Sequence, residues 1–189
     1  MKKVLIFAMA LTLCAGAAFA DHIGLYTDQT GLTGNCTSTP TPGAPYAVYV
    51  VHKLNSGGSK GSRFKVTGLV PAPAGTFYTG YSMLNGFINI NGPDVGISCA
   101  YGFCDLAQDF GVLALNFFVT GAIPACSQLS IIADPIEAAG TVVVADCDDV
   151  VFSATGGTFF FSATGACAGC GEPNAVEQST WGKVKSLYR

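Results

Sequence analysis

The feature that most constrains this chain is a succession of short apolar segments separated by Gly, Pro, Asn and Asp residues. Eleven of these segments have the composition of β-strands: residues 23–27, 46–53, 63–69, 76–82, 86–90, 95–103, 111–120, 128–133, 141–145, 150–154 and 158–163. Turn residues recur about every 8–15 positions, a spacing that favours a sandwich or barrel over alternating strands and helices. We therefore predict an all-β fold, a two-sheet antiparallel β-sandwich.

The two ends of the chain differ from this pattern. Residues 1–3 are basic at Lys2 and Lys3, residues 4–11 are apolar, and residues 18–20 form an A-x-A pattern. This arrangement is typical of a secretory signal peptide, so we predict cleavage between Ala20 and Asp21 and a secreted protein, extracellular or periplasmic. No later segment is long and apolar enough to predict a membrane span.

The sandwich is predicted to occupy residues 21–178, followed by a helical tail at residues 179–189. Thr180 can cap a short helix that carries Trp181, Val184 and Tyr188 on one side. Because Trp181 is the only tryptophan and is largely apolar, we expect it to dock onto the sandwich and tether the tail.

Charge is sparse in this sequence. Only 11% of the residues are charged, and 9 Lys and Arg face 12 Asp and Glu, for a net charge of −3. This balance argues against nucleic acid as a partner, and the high apolar content argues against disorder. No basic residue occurs between Lys65 and Lys183. The chain is thus either a weakly charged β-domain or a dipolar one that self-associates or meets a cationic partner.

A cluster of carboxylates suggests one metal site. Asp146, Asp148 and Asp149 fall within four residues between two predicted strands. Calcium prefers such oxygen ligands, but it needs more of them, and the EF-hand spacing is absent. We therefore favour a solvated turn and predict no metal site and no cofactor; the three aspartates are the candidate ligands of the alternative.

Three aromatic side chains are candidates for stacking on a sugar. Tyr78, Tyr81 and Tyr101 lie on predicted strands, with three asparagines at positions 85, 89 and 91. Exposed, coplanar rings would indicate a carbohydrate-binding face. Buried rings would be ordinary strand aromatics.

The motifs of catalysis are incomplete. Residues 57–61 match G-x-S-x-G, but a predicted strand follows Ser59, where a nucleophile elbow needs a helix. Both histidines, His22 and His52, precede that serine. The carboxylates that a glycosidase would need fall in predicted loops: Glu137, Glu172 and Glu177. We predict no catalytic residues.

The cysteines predict disulfides. Cys167 and Cys170 form a C-x-x-C motif in a glycine-rich loop, which favours a structural bond over redox chemistry or zinc. Residues 128–133 and 141–145 are predicted to form a hairpin, and a register that aligns their apolar residues also places Cys126 opposite Cys147. We therefore predict the disulfide Cys126–Cys147.

Two stretches carry a resemblance to known proteins. The segment from Asp21 to Tyr26 (D-H-I-G-L-Y) and the end T-W-G-K-V-K-S-L-Y-R resemble a group of uncharacterised secreted bacterial β-sandwich proteins. Separately, residues 111–114 (G-V-L-A) and 117–119 (F-F-V) are similar to a strand of cohesin-like sandwiches. The second resemblance implies a jelly-roll, immunoglobulin or cohesin-like fold, and neither implies an activity.

These observations predict a non-catalytic secreted protein, structural or an adhesion and binding module. Its partner would be an extracellular protein or a glycan. A carbohydrate-binding module is the alternative, and a secreted hydrolase is the third.

Overall fold

The computed structural model describes residues 21–54, 58–105, 109–138, 140–162 and 167. These residues form twelve strands and no α-helix: β1 His22–Tyr26, β2 Thr37–Ser38, β3 Pro45–Lys53, β4 Ser59–Thr67, β5 Thr76–Met83, β6 Ile88–Ile90, β7 Ile97–Asp105, β8 Asp109–Val119, β9 Ser127–Ile132, β10 Val142–Ala145, β11 Val151–Gly156 and β12 Thr158–Phe161. All eleven predicted strands are present, so the all-β prediction is confirmed. The two-residue strand β2 was not predicted.

The predicted signal peptide and the predicted C-terminal helix lie outside the described residues. Within the described part of the chain, no helix is long and apolar enough to cross a membrane.

The first layer of the sandwich contains β5, β8, β3 and β1 in that order. Strand β8 lies in its middle and pairs antiparallel with β3 on one side and β5 on the other. Directly opposed residues such as Val48 and Leu115 are fully buried. Strand β3 lies between β1 and β8, and apolar residues on both of its faces suit such a central position.

The second layer contains β6, β7, β4, β10 and β11. Strand β4 is its centre, because Gly61 pairs with Ala100 of β7 on one side and with Ala145 of β10 on the other. A Cβ atom at Gly61 would lie 2.6 Å from the carbonyl oxygen of Cys99, so the close approach of β4 and β7 requires glycine here.

The hairpin predicted from β9 and β10 does not exist. Residues Lys65–Thr67 of β4 pair antiparallel with β9, and residues Gly61–Arg63 pair antiparallel with β10. Because both strands run antiparallel to β4, they run in the same direction and cannot form a hairpin with each other. Strand β9 pairs instead with β12, which also pairs with β2.

The sandwich is mixed rather than purely antiparallel, which corrects the prediction. Strand β1 pairs parallel with β11, and β2 pairs parallel with β12. Strand β11 leaves β10 and runs beside β1 at Thr155 and Gly156, which joins the two layers. A Cβ atom at Gly156 would overlap the carbonyl oxygen of Ile131, so this junction also depends on glycine.

The core lies between the layers and is rich in aromatic rings. Phe117 of β8 and Phe159 of β12 each lie 5–6 Å from Phe161, centroid to centroid, in edge-to-face geometry. Such contacts add about 0.5–1.5 kcal/mol to the stabilisation from burial.

The predicted cysteine pairs, Cys126–Cys147 and Cys167–Cys170, are wrong. Cys126 bonds Cys167, and Cys147 bonds Cys104. Cys126 and Cys147 are not opposed, because the β9–β10 hairpin is missing. The bond from Cys126 to Cys167 also rules out a bond between Cys167 and Cys170. Cys36 is disulfide-bonded as well, and Cys99 is a buried free thiol.

Candidate functional site

Four polar side chains form a hydrogen-bonded chain inside the core. His52 Nε2 lies 3.3 Å from Asp21 Oδ2, and His52 Nδ1 lies 3.2 Å from the Tyr101 hydroxyl. Tyr101 donates to Ser62 Oγ at 2.6 Å. These hydrogen bonds link β3, β4 and β7 to the residue before β1. Because all four residues are buried, a substrate cannot reach them. Burial also raises the pKa of Tyr101 well above its usual value.

The three tyrosines that are candidates for stacking on a sugar do not form an exposed face. Tyr101 is only 2% exposed. Tyr78 and Tyr81 are half-buried and pack against the core from β5, and burial, with smaller contributions from Asp94 and Tyr81, raises the pKa of Tyr78 to about 12. The rings are therefore strand aromatics that stabilise the layer.

The three aspartates of the candidate metal site belong to the turn between β10 and β11. Asp146 Oδ1 accepts hydrogen bonds from the backbone N–H groups of Asp148 and Val150. Asp149 forms an ion pair with Lys60 at 2.8 Å. No cluster of His, Cys, Asp or Glu able to hold a metal ion occurs among the described residues. The side chains of Asp146 and Asp149 thus stabilise the turn.

The serine of G-x-S-x-G is a buried strand residue. Ser59 begins β4, and its hydroxyl lies 3.1 Å from the carbonyl oxygen of Gly61 and 3.0 Å from that of Ala145. Of the three glutamates, only Glu137 is described, and it lies 4.0 Å from the Arg63 guanidinium. Neither residue is placed as a nucleophile or general acid.

An apolar surface covers the outer side of the second layer, and it was not predicted. Directly opposed residues on neighbouring strands project to the same side of a sheet. One such row crosses five strands, from Ile88 through Ala100, Gly61 and Ala145 to Val151. The next row on the same side contains Ile90, Ser98, Arg63 and Val143. We call this surface the aliphatic face and define it by Ile88, Ile90, Ala100, Val143, Ala145 and Val151.

The aliphatic face has the shape of a shallow trough. Its walls are strongly exposed: Ile88 is 68%, Ile90 70% and Val151 64% accessible. Between the walls, the same row holds three residues with no side chain beyond Cβ: Ala100 is exposed, Ala145 is half-buried and Gly61 is buried. At about 4.8 Å between strands, the walls on β6 and β11 are about 19 Å apart, which is wide enough for one α-helix of about 10 Å diameter.

Ion pairs lie at both ends of the trough. Lys60 and Asp149 are paired at one end. At the other end, Arg63 Nε lies 2.8 Å from the buried Asp134 carboxylate. Burial alone would raise the pKa of Asp134, but hydrogen bonds from the Ile136 N–H and from Arg63 lower it overall. An apolar centre with a polar rim is the usual anatomy of a protein interface.

A second exposed surface lies on the outer side of the first layer. Pro45 of β3, Phe118 of β8 and Phe77 of β5 are directly opposed in one row. Next to this row is a groove of about 420 Å³, lined by residues that include Pro45, Ala47, Thr79, Asn116 and Phe118. We call it the aromatic groove.

Comparisons with known proteins concern the fold. No protein-family model matches the chain, and no curated protein matches it. Among solved structures, the chain is similar to the sixth cohesin of scaffoldin B from Acetivibrio cellulolyticus, crystallised with a mutant Cel5 dockerin. The identity is 15%, the TM-score is 0.49, and the match covers 76% of this chain and 99% of the cohesin.

Two further cohesins are similar at lower TM-scores. A cohesin module of a family 33 glycoside hydrolase from Clostridium perfringens has 7% identity and a TM-score of 0.44, over 75% of this chain and 98% of the module. A non-cellulosomal cohesin from Archaeoglobus fulgidus has 14% identity and a TM-score of 0.42, over 76% and 91%. These matches agree with the weak cohesin-like similarity of the sequence.

Proposed function

We propose that this protein is a non-catalytic extracellular binding module that holds a partner protein on its aliphatic face. The observation that carries the proposal is the row from Ile88 to Val151, in which Ile88, Ala100 and Val151 are exposed, Ala145 is half-buried and Gly61 is buried. Exposed apolar surface that is contiguous and rimmed by polar residues marks interaction sites more often than scattered exposed residues do.

A protein fits this face better than a glycan. Sugars are bound by aromatic rings together with polar groups. The residues that define the face carry no aromatic ring, and the polar residues Ser98 and Arg63 lie between Ile90 and Val143. Between its walls, the side chains of Ala100 and Ala145 end at Cβ, which leaves room for a ridge of apolar side chains. An α-helix with an apolar stripe presents such a ridge, so we propose a helical segment as the part of the partner that enters the trough.

The chemistry of the described residues supports a non-catalytic role. Both histidines are at least 97% buried, and each ring makes a hydrogen bond inside the fold, His22 to Thr155 and His52 to Tyr101. The described acidic residues of the predicted sites form turns and ion pairs. A hydrolase would need an accessible acid, base or nucleophile in a cleft.

The disulfides support an extracellular location. Two bonds among the described residues, Cys104–Cys147 and Cys126–Cys167, are typical of proteins that fold in an oxidising compartment. We propose that the chain reaches it after cleavage between Ala20 and Asp21. Intact-mass measurement of the exported protein tests this, and a mass that begins elsewhere contradicts it.

Site-specific photocrosslinking tests the binding face. Benzoylphenylalanine is placed at Ile90 or at Val151 in the protein exported by its native host, and adducts are identified by mass spectrometry after irradiation. We expect one protein adduct from both positions, because both side chains border the same trough. The Ile88→Asp variant should abolish the adduct at Val151, since a carboxylate in the apolar contact would be desolvated.

Val70 provides the matched control. It is 72% exposed but lies in the loop between β4 and β5, away from the aliphatic face. Benzoylphenylalanine at Val70 should give no adduct with the same protein. Equal labelling from Val70, or no protein adduct from Ile90 and Val151, would overturn the proposal. An adduct of twice the protein's own mass would identify a second copy as the partner.

A further inference from the structure

We infer that the aromatic groove is the docking site of the chain's own C-terminal segment, with the Trp181 side chain as the part that enters it. This inference concerns the first layer and does not rest on the proposed function of the aliphatic face. It deepens the expectation that Trp181 tethers the tail, because it names the place where the indole binds.

The groove is an uncovered half of an otherwise covered surface. At the far end of the first layer, the loop between β1 and β2 lies over the strands. A Cβ atom at Gly111 of β8 would lie 2.6 Å from the backbone oxygen of Gln29, and one at Gly31 would lie 3.1 Å from Val51. At the near end, Phe77 is 64% and Phe118 42% exposed. Thus one half of this sheet face is covered by a segment of the same chain, and the other half is open.

The C-terminal segment begins close to the open half. The last strand of the described residues, β12, ends at Phe161, whose ring lies 6.3 Å from that of Tyr46 and 5.6 Å from that of Phe117. The rings of Tyr46 and Phe117 face the core, whereas their neighbours Pro45 and Phe118 line the groove on the other side of the sheet, so the segment must pass an edge of the first layer to reach it. The bond from Cys167 to Cys126, the residue before β9, then holds the start of the segment at the same end of the sandwich.

The length of the segment permits this docking. About 13 residues connect Cys167 to Trp181, and an extended chain of that length spans about 45 Å. A short flexible connection gives an effective concentration in the millimolar range, so a contact of only modest intrinsic affinity is occupied.

The chemistry of the segment matches the groove. The residues that define the groove are uncharged, and aromatic rings stand beside it at Phe77 and Phe118. Indole packs edge-to-face or offset against such rings. The basic residues Lys183 and Lys185 flank the segment's apolar positions and can stay in water.

Fluorescence tests the inference directly, because the chain contains one tryptophan. The emission maximum and acrylamide quenching of the full protein are compared with those of a synthetic peptide of residues 177–189. We expect emission shifted to the blue and quenching reduced at least threefold relative to the peptide. The Thr79→Arg variant, which fills the groove from an exposed strand position, should restore peptide-like emission and quenching. Phe118→Ala should do the same.

The controls separate the groove from other sites. Ile88→Asp, on the aliphatic face, should leave the fluorescence unchanged, and a thermal melt should confirm that Thr79→Arg is folded. Peptide-like quenching in the unaltered protein would overturn the inference. So would protection that survives both Thr79→Arg and Phe118→Ala. Protection that is lost on dilution to nanomolar protein would assign the groove to the tail of a second copy and overturn docking within one chain.

Discussion

The disulfide Cys104–Cys147 gives the sharpest test of the structure, because the sequence alone predicts a different partner for Cys147. The bond joins the end of β7 to the turn between β10 and β11 and has a sequence separation of 43 residues. In the chain-entropy model, a 15-residue loop contributes about 3 kcal/mol and a 100-residue loop about 4.7 kcal/mol. A loop of this length therefore contributes about 4 kcal/mol.

We expect the Cys104→Ser/Cys147→Ser double variant to lose that contribution. For a protein of this size, 1 kcal/mol corresponds to about 2–4 °C in Tm, so Tm should fall by about 8–16 °C. Thermal unfolding followed by circular dichroism measures the change. Asp148→Ser is the matched control, because Asp148 is exposed in the same turn and its side chain is not part of the cross-link; its Tm should change by less than 2 °C.

Two results would refute this reasoning. A Tm loss of less than 3 °C would mean that the bond does not restrict the unfolded chain. Non-reducing peptide mapping that links Cys147 to Cys126 would restore the β9–β10 hairpin, and the register of both strands on β4 would then be wrong.

Three further predictions concern buried polar groups. In urea titrations, Tyr101→Phe should lower the free energy of unfolding by about 1–3 kcal/mol, because His52 loses its hydroxyl partner. Tyr78→Phe is the control and should have little effect, since the Tyr78 hydroxyl has no hydrogen bond to the described residues. The pKa of Asp134 is lowered in the folded protein. The Asp134 carboxylate therefore contributes fully to the free energy of unfolding above the unfolded-state pKa of about 3.9, and this contribution is lost as the pH falls below that value. The difference in stability between the unaltered protein and Asp134→Asn should thus shrink between pH 5 and pH 3. Burial raises the pKa of Cys99 to about 12, so iodoacetamide at pH 8 should label it only after denaturant is added, and labelling of the folded protein would contradict its burial.

The strands were predictable because the information for them is local. Alternation and turn residues identified eleven segments, and the structure forms a strand in each. Strand β2 could not be found in this way, since two residues, Thr37 and Ser38, contain no period. The partners of strands are set by contacts distant in sequence. For this reason β9 and β10 were assigned to each other, although both pair with β4.

To find the candidate site, one must know which side of each strand faces the core, and the local sequence pattern did not determine which side that is. In β6, the two isoleucines face outward and Asn89 is less exposed. In β5, a bulge between Tyr78 and Gly80 shifts the alternation, so that Tyr78 and Tyr81 lie on the same inner side. Neither the bulge nor the orientation of β6 leaves a clear signal in the sequence. The row from Ile88 to Val151 becomes visible only when five strands are aligned.

The position of β1 has a consequence for the order of folding. This strand is the first of the described residues, yet it pairs with β11, and His22 lies beside Thr155 across a separation of 133 residues. Contacts of such high sequence separation slow the search for the native state. During synthesis, β1 must wait with one edge unpaired until nearly the whole domain has emerged. Such an edge is a template for aggregation, so β1 is the segment for which a chaperone would matter most.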